Sequence, residues 1–257
     1  MGNGVSIPTD LSRTPKIINA SYPRTGTLSI AQACEILLDG PACHGGAQML
    51  YREDAYPKKV VELFDKRHDK ARVMKLLREL TQGFVVLSDY PFMCFIPELC
   101  ELYPDAQVVY HRRDPVKWWN SMDKVNSMAL TRFLSVLFWP VPGWRWALPS
   151  HEGLRAAERE RWNPVPGPLP NKDSLERHQE WVVKNVPKER MHFISLRDGW
   201  APFAKILNCD IPDTPFPRVN DMDGAEKIFG RMVKTSLQVW ALYLLGFGSA
   251  FYVWRSL

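Results

Sequence analysis

One stretch near the start of the chain, residues 16–38, constrains the fold more than any other. Residues 16–19 (KIIN) have the apolar, β-branched pattern of a short strand, and a turn rich in hydroxyl groups follows. From residue 30 onwards, apolar residues recur at three- and four-residue spacing, which predicts a helix. The stretch therefore predicts a strand, a tight turn and a helix in direct succession, as in proteins built on a parallel sheet.

The turn at residues 22–29 has the properties of an anion-binding site. The first backbone N–H groups of a helix have no partner inside it, and the helix dipole is positive there. Thr25, Thr27 and Ser29 add hydroxyl groups, Arg24 adds a positive charge, and Gly26 lets the backbone approach a ligand closely. The pattern G-x-x-x-x-G-K-[ST] is missing from this turn, so we do not predict a Walker A nucleotide hydrolase.

The run Tyr22-Pro23-Arg24-Thr25-Gly26-Thr27-Leu28-Ser29 resembles the 5′-phosphosulfate loop of sulfotransferases, which use 3′-phosphoadenosine-5′-phosphosulfate (PAPS) as donor. The residues that this resemblance assigns to the cofactor are Arg24, Thr25, Gly26, Thr27, Leu28 and Ser29. Cytosolic members of the family have Lys in place of Arg24 and Thr in place of Leu28, so this loop offers one hydroxyl fewer. An ordinary Ser/Thr-capped helix is the alternative interpretation of the loop alone.

A second phosphate site follows from the resemblance. Residues 106–112 predict a buried strand, and Asp114 and Pro115 then favour the start of a helix. In sulfotransferases, an Arg at the end of such a strand and a Ser eight residues later hold the 3′-phosphate of PAPS. Arg113 and Ser121 stand at that spacing, so the resemblance assigns them to the 3′-phosphate.

The resemblance also assigns a catalytic base. Residues 84–87 predict a buried strand that leads to Asp89-Tyr90-Pro91. Cytosolic sulfotransferases carry a His there, whereas related fungal and bacterial proteins with a D-[WY]-P motif carry Asp, and this chain is most similar to that branch. Asp89 is therefore the expected base, and in an apolar pocket it would need a raised pKa. His44, in a predicted turn-rich loop, is a second candidate for the base or for positioning the acceptor; a loop His with a backbone partner is the alternative.

Alternating strands and helices predict an α/β fold, a three-layer sandwich around a central parallel sheet. Ligands gather at the carboxyl ends of such strands, where Arg24, Asp89 and Arg113 are expected to converge. We divide the chain into a flexible arm at residues 1–15, a sulfotransferase-like domain at 16–222, and a C-terminal hydrophobic helix at 223–257. The resemblance covers roughly residues 16–221.

Composition limits the partners. The net charge of +5 suits an anionic donor or a membrane surface, but no nucleic-acid-binding motif or long Lys/Arg run is present, so no nucleic acid partner is predicted. The five cysteines form no C-x-x-C pair and are expected to be buried free thiols. Sulfuryl transfer needs no metal, and none is predicted.

The end of the chain predicts contact with a membrane. Residues 239–254 carry no charge and have Trp near both ends, so we expect a transmembrane anchor with the enzyme at the cytoplasmic face of an intracellular membrane. As a helix the run is about 24 Å long, against a hydrocarbon core of about 30 Å, so a helix packed on protein is the alternative. Residues 1–6 fit the myristoylation pattern, or form only a flexible arm. No secretory signal is evident, so the protein is not expected to be secreted.

These observations predict a PAPS-dependent sulfotransferase of secondary metabolism that acts on a hydroxyl of a small, lipophilic acceptor. Asp89 would take the proton, Arg24 would stabilise the departing phosphate, and adenosine 3′,5′-bisphosphate would be the product. An enzyme of this fold used for dehydration or cyclisation, or a non-catalytic membrane-tethered binding protein, are the alternatives. Arg113 and Ser121 favour the first, since only a protein that binds PAPS needs a 3′-phosphate site. The acceptor and the oligomeric state are left open.

Overall fold

A computed structural model describes residues 5–127, 132–219 and 221–256. The strands are β1 (Ile17–Asn19), β2 (Ala42–His44), β3 (Val86–Ser88), β4 (Gln107–His111) and β5 (Met191–Ile194). The helices are α1 (Thr27–Leu37), α2 (Gly45–Tyr51), α3 (Ala55–Asp65), α4 (Lys70–Thr81), α5 (Ile96–Leu102), α6 (Pro115–Ser127), α7 (Arg132–Phe138), α8 (Ala147–Arg161), α9 (Ser174–Asn185), α10 (Ala201–Leu207) and α11 (Asp221–Ser256).

The strands form one five-stranded sheet in the order β2-β3-β1-β4-β5. Every neighbouring pair is parallel, and Ile18 in the central strand pairs with Leu87 on one side and Val108 on the other. The carboxyl ends of all five strands therefore lie at the same edge, which confirms the predicted parallel sheet.

Helices cover both faces of the sheet because successive strand residues point to opposite sides. Ile18 and Leu87 belong to a core cluster with apolar residues of α3, α4, α5, α8 and α9. Ile17 and Val86 belong to a second cluster with residues of α1 and α10. The predicted three-layer architecture is confirmed. All five cysteines are free thiols, and Cys209 alone among them is exposed.

The C-terminal helix α11 is 36 residues long and packs against α7. The indole N–H of Trp240 donates to the Leu137 carbonyl oxygen at 3.1 Å, so this part of the helix is bound to protein. Within the described residues no helix is both long enough and apolar enough to cross a membrane, and the predicted transmembrane anchor is wrong. Gln238, Trp240 and Tyr243 interrupt the aliphatic residues and lower the mean hydropathy of the described run.

Two related predictions stay open. Residues 1–4, which contain Gly2 of the predicted myristoylation pattern, lie outside the described residues. The location of the enzyme in the cell and the division into arm, domain and C-terminal helix stay predictions.

Candidate active site

The loop between β1 and α1 has two residues in the left-handed region, Arg24 with φ 68° and Gly26 with φ 86°. Gly26 is the N-cap of α1, and a Cβ at this position would lie 2.4 Å from Cδ1 of Leu196. Both the backbone conformation and the close approach of Leu196 therefore require glycine. The Ile30 N–H bonds to the Gly26 carbonyl at 3.1 Å, so the N–H groups of residues 27–29 precede the first helical hydrogen bond.

Hydrogen bonds and aromatic contacts with buried residues stabilise the conformation of this loop. The Thr25 hydroxyl donates to the Tyr22 carbonyl at 2.6 Å, and the Trp118 indole N–H donates to the Pro23 carbonyl at 3.0 Å. The ring of Tyr22 packs edge-on against Trp118 and His178, with centroid distances of 5.3 and 5.2 Å. The Thr25 hydroxyl hydrogen is therefore used in a hydrogen bond that stabilises the loop conformation.

The other predicted loop residues lie in the first turn of α1. Leu28 is half-buried, and Ser29 is buried beneath a later part of the chain. The Ser29 hydroxyl oxygen accepts a hydrogen bond from the Val219 N–H at 3.1 Å. The segment that ends at residue 219 therefore packs over the start of the helix, next to the loop.

Thr27, His44 and Asp89 form a cluster at the carboxyl edge of the sheet, in which Thr27 and Asp89 are buried and His44 is half-buried. The Thr27 hydroxyl donates to Asp89 Oδ2 at 2.9 Å, and His44 Nε2 lies 3.1 Å from both Asp89 Oδ2 and Thr27 Oγ1. Topology explains the meeting: His44 ends β2, Asp89 follows β3, and Thr27 begins the helix after β1. The predicted base, the second candidate base and a phosphate-loop residue are thus in direct contact.

The expected loop around His44 is instead the end of a strand and the start of a helix. His44 is the N-cap of α2, and its Nδ1 accepts from the Ala47 N–H at 3.3 Å. Nδ1 therefore carries no hydrogen, and the neutral ring holds its hydrogen on Nε2, facing Asp89 and Thr27. In a Ser-His-Asp triad the carboxylate accepts from Nδ1 instead, so this cluster lacks the arrangement of a nucleophile triad.

Asp89 is held in one orientation. Its φ is 70°, an uncommon value for a residue with a side chain, and Oδ1 accepts from the N–H of the next residue, Tyr90, at 2.6 Å. Burial raises the pKa of Asp89, but the electrostatic influence of His44 and hydrogen bonds from His44, the Tyr90 N–H and Thr27 outweigh it, so that the pKa is lowered. The pKa of Asp89 is therefore not raised, although a base in an apolar pocket would need a raised pKa, and the carboxylate is ionised at neutral pH.

A buried polar network supports this cluster from the sheet. Asn19 donates to the Ser88 hydroxyl at 2.9 Å, and Ser88 donates to the Thr27 carbonyl at 3.0 Å. Both side chains are fully buried. Sequence reasoning missed them; the available signal was a polar residue at the end of each of two buried strands.

Arg24, Arg113 and Ser121 meet on the other side of the loop. Arg24 Nε donates to the Ser121 hydroxyl oxygen at 3.3 Å, and the Arg113 guanidinium donates to the carbonyl oxygen of Arg24. Arg113 follows β4, and Ser121 lies in the second turn of α6, which Asp114 caps by accepting from the Lys117 N–H at 2.8 Å. The structure brings together both predicted 3′-phosphate residues and the arginine of the 5′-phosphate loop.

One comparison with known proteins shows a family. The family model for the sulfotransferase domain matches residues 16–225, which is most of the chain. A curated relative, the Ava biosynthesis cluster protein M of Aspergillus versicolor, is 27% identical over 149 residues, which cover 54% of this chain and 55% of that protein. This chain therefore spans about half the length of the curated relative.

A solved structure was also found. The crystal structure of a sulfotransferase from Alicyclobacillus acidocaldarius is 16% identical, covers 86% of this chain and 94% of that chain, and has a TM-score of 0.39. A similarity at this level carries no argument about the site.

Proposed function

Because the chain belongs to the sulfotransferase domain family, we propose that it transfers a sulfuryl group from PAPS to a hydroxyl of a small, lipophilic acceptor. Membership of the family supports sulfuryl transfer in general, and PAPS is the donor that the family generally uses. The use of PAPS here, the acceptor and the roles of individual residues are parts of the proposal.

The observation that carries the proposal is the hydrogen bond of 2.9 Å between Thr27 and Asp89. Thr27 is the first residue of the helix whose N-terminus faces the phosphate loop, and Asp89 is the carboxylate expected to act as base. A hydroxyl that binds Asp89 lies next to any group bound at that helix N-terminus. The two functions that group transfer requires are therefore adjacent.

The residues fit a donor with two phosphate groups. One set consists of the N–H groups at the start of α1 and the Arg24 charge, and helix N-termini of this kind favour anions. The other set is Arg113 with Ser121, linked to the first through Arg24. Two adjacent sets of groups that suit phosphate are thus available next to one loop, as a 3′,5′-bisphosphate requires.

When bound, PAPS supplies the activated sulfuryl group and a stable leaving group. Asp89 Oδ1 accepts from the Tyr90 N–H and retains capacity for a second hydrogen bond, which orients the acceptor hydroxyl. A base with a low pKa suffices if the proton leaves late, because the hydroxyl proton becomes strongly acidic as the oxygen–sulfur bond forms. Arg24 and the loop N–H groups stabilise the negative charge that develops on the phosphate.

The fungal relative suggests the class of acceptor. Its name places that protein in a biosynthesis cluster. We accordingly propose a secondary metabolite with a phenol or alcohol group as the acceptor of this chain.

The direct test is calorimetric titration of adenosine 3′,5′-bisphosphate into the full chain, with adenosine 5′-monophosphate as the ligand control. We expect Arg113→Ala to weaken binding of the bisphosphate by about 10- to 100-fold, the worth of a hydrogen bond to a charged group. Arg112→Ala is the matched control, because Arg112 is the neighbouring arginine and its guanidinium stacks 3.8 Å above the ring of Phe193 on β5.

If the folded wild-type chain fails to bind the bisphosphate, or binds the monophosphate equally well, the PAPS proposal is wrong. If binding needs Arg113, the next experiment is to incubate the protein and PAPS with each of a panel of lipophilic phenols and alcohols. The gain of one sulfuryl group, measured by mass spectrometry, then identifies the acceptor.

A further inference from the structure

We infer that His44 is a positioning residue that holds Asp89 through its Nε2–H group, while its Nδ1 fixes the start of α2, and that it is not the base. The inference deepens the proposed function and rests on it. It decides between two residues that the sequence leaves as candidates for the same role.

The geometry assigns both ring nitrogens of His44. Nδ1 is occupied by the Ala47 N–H at 3.3 Å, and Nε2 lies 3.1 Å from Asp89 Oδ2. A general base must present an unprotonated nitrogen to the acceptor. Protonation of Nδ1 would set its N–H against the Ala47 N–H, so the cap of α2 keeps the hydrogen on Nε2.

Two glycines make the start of α2 part of the same assembly. A Cβ at Gly45 would lie 1.7 Å from the Tyr90 carbonyl oxygen, and one at Gly46 would lie 3.9 Å from Asp89 Oδ2. The helix therefore begins directly against the segment that carries Asp89. His44 joins this helix to the carboxylate by one hydrogen bond at each ring nitrogen.

The other titratable groups around the pair stay in one state near neutral pH. Burial raises the pKa of Cys43 on β2 to about 12, and it raises the pKa of Tyr90 and of Tyr56 on α3 above the ordinary value. Arg52, after α2, lies over the Tyr56 ring at 4.9 Å and stays charged. Thr27, on α1, does not titrate. A change of rate between pH 5 and 9 is therefore assigned to Asp89 and His44.

Two substitutions separate the two hydrogen bonds. His44→Asn keeps an oxygen for the Ala47 N–H, since Asn is a preferred N-cap, but its side chain is too short to reach Asp89. His44→Gln extends an amide N–H group towards Asp89 and is a poor N-cap. One variant keeps the helix cap, and the other keeps the donor to the carboxylate.

We expect His44→Asn to keep the melting temperature and to lose about 100-fold in PAPS turnover, because Asp89 is misplaced. Its rate falls at acid pH, where that of the wild type is flat, because Asp89 has lost a partner that lowers its pKa. We expect His44→Gln to stay within about 10-fold of the wild type with a flat profile, and to melt about 2–4 °C lower through the lost cap.

Two controls match these variants. Asp69 caps α4 by accepting from the Arg72 N–H at 3.0 Å, so Asp69→Gln lowers the melting temperature similarly without changing turnover. His192 on β5 makes a hydrogen bond of 2.8 Å to the Gln107 side chain on β4. We expect His192→Asn to leave the pH profile unchanged.

Either of two kinetic results overturns the inference: a His44→Asn variant that keeps the wild-type turnover and pH profile, or a His44→Gln variant that is as inactive as His44→Asn. The tautomer is measured independently by ¹⁵N NMR of the wild-type chain at pH 7, where we expect a hydrogen on Nε2 alone; a hydrogen on Nδ1 also overturns it. If the wild type turns over no PAPS, the proposed function fails, and the NMR result still decides the role of His44.

Discussion

The two sides of the phosphate loop are built in different ways. On the base side, Thr27, His44 and Asp89 are joined by hydrogen bonds from short side chains, each placed at the end of a strand or the start of a helix. On the opposite side, Arg24 and Arg113 are long and only partly buried, and they reach Ser121 and the loop backbone. The ends of strands and helices thus position the residues proposed for proton transfer. The residues proposed for donor binding are instead positioned by long, flexible side chains.

The largest effect is expected from Asp89→Asn, which keeps the shape of the base but removes its charge. Turnover of PAPS should fall about 10³-fold, in the range of general base catalysis, while affinity for adenosine 3′,5′-bisphosphate changes less than about twofold. Kinetics and calorimetry on the same preparation measure both. An equal loss of affinity would show that the two sides are not separate.

The next effect is expected from Gly26→Ala, because the new Cβ meets Leu196 and φ is 86°. We expect affinity for the bisphosphate to fall about 10- to 100-fold, corresponding to strain of about 1–3 kcal/mol in the loop. The double variant Gly26→Ala/Leu196→Ala removes the clash but keeps the unfavourable φ, so it should recover part of the affinity. Full recovery would mean that the backbone conformation of the loop is unimportant.

Acid should weaken the core beneath the loop. Burial lowers the pKa of His178, which packs against Tyr22, from 6.5 to about 3. The unfolded chain therefore binds one more proton between these values, and stability is lost as the pH falls below 6.5. From pH 6.5 to 5 the loss is about 2 kcal/mol. Urea unfolding should show a shallower pH dependence for His178→Phe, and an unchanged dependence would remove His178 as the cause.

The smallest effect is expected from Ser121→Ala, which removes the partner of Arg24 Nε. Affinity for the bisphosphate should fall about 5- to 10-fold, the worth of about 1 kcal/mol for one hydrogen bond, because Arg113 remains. Titration of Ser12→Ala, far along the chain from α6, is the control. A loss as large as that of Arg113→Ala would make Ser121 an equal partner in recognition.

Local patterns predicted much of this molecule. The turn at residues 22–29 and the apolar strands led to the parallel sheet and to the convergence of Arg24, Asp89 and Arg113. Local patterns do not predict contacts between residues that are distant in the sequence. Ser29 accepts a hydrogen bond from the Val219 N–H, and the pKa of Asp89 depends on Thr27 and His44. β2 has three residues, too few to show periodicity, so the sequence predicts a loop around His44 where the structure has a strand. In α11, the absence of charge predicts a membrane anchor, but polar and aromatic residues among the aliphatic ones make the described run too polar to cross a membrane.

The position of β1 in the middle of the sheet has a consequence for synthesis. β1 is the first strand to be made, yet its neighbours β3 and β4 begin at Val86 and Gln107. At about 5–20 residues per second, translation of the chain from β1 to β3, the first of these partners, takes roughly 3–13 s. During that interval Ile17 and Ile18 have no strand to pair with. Substitutions that make this segment more hydrophobic should therefore promote aggregation of the nascent chain. They should lower the yield of folded protein even where they leave the stability of the folded protein unchanged.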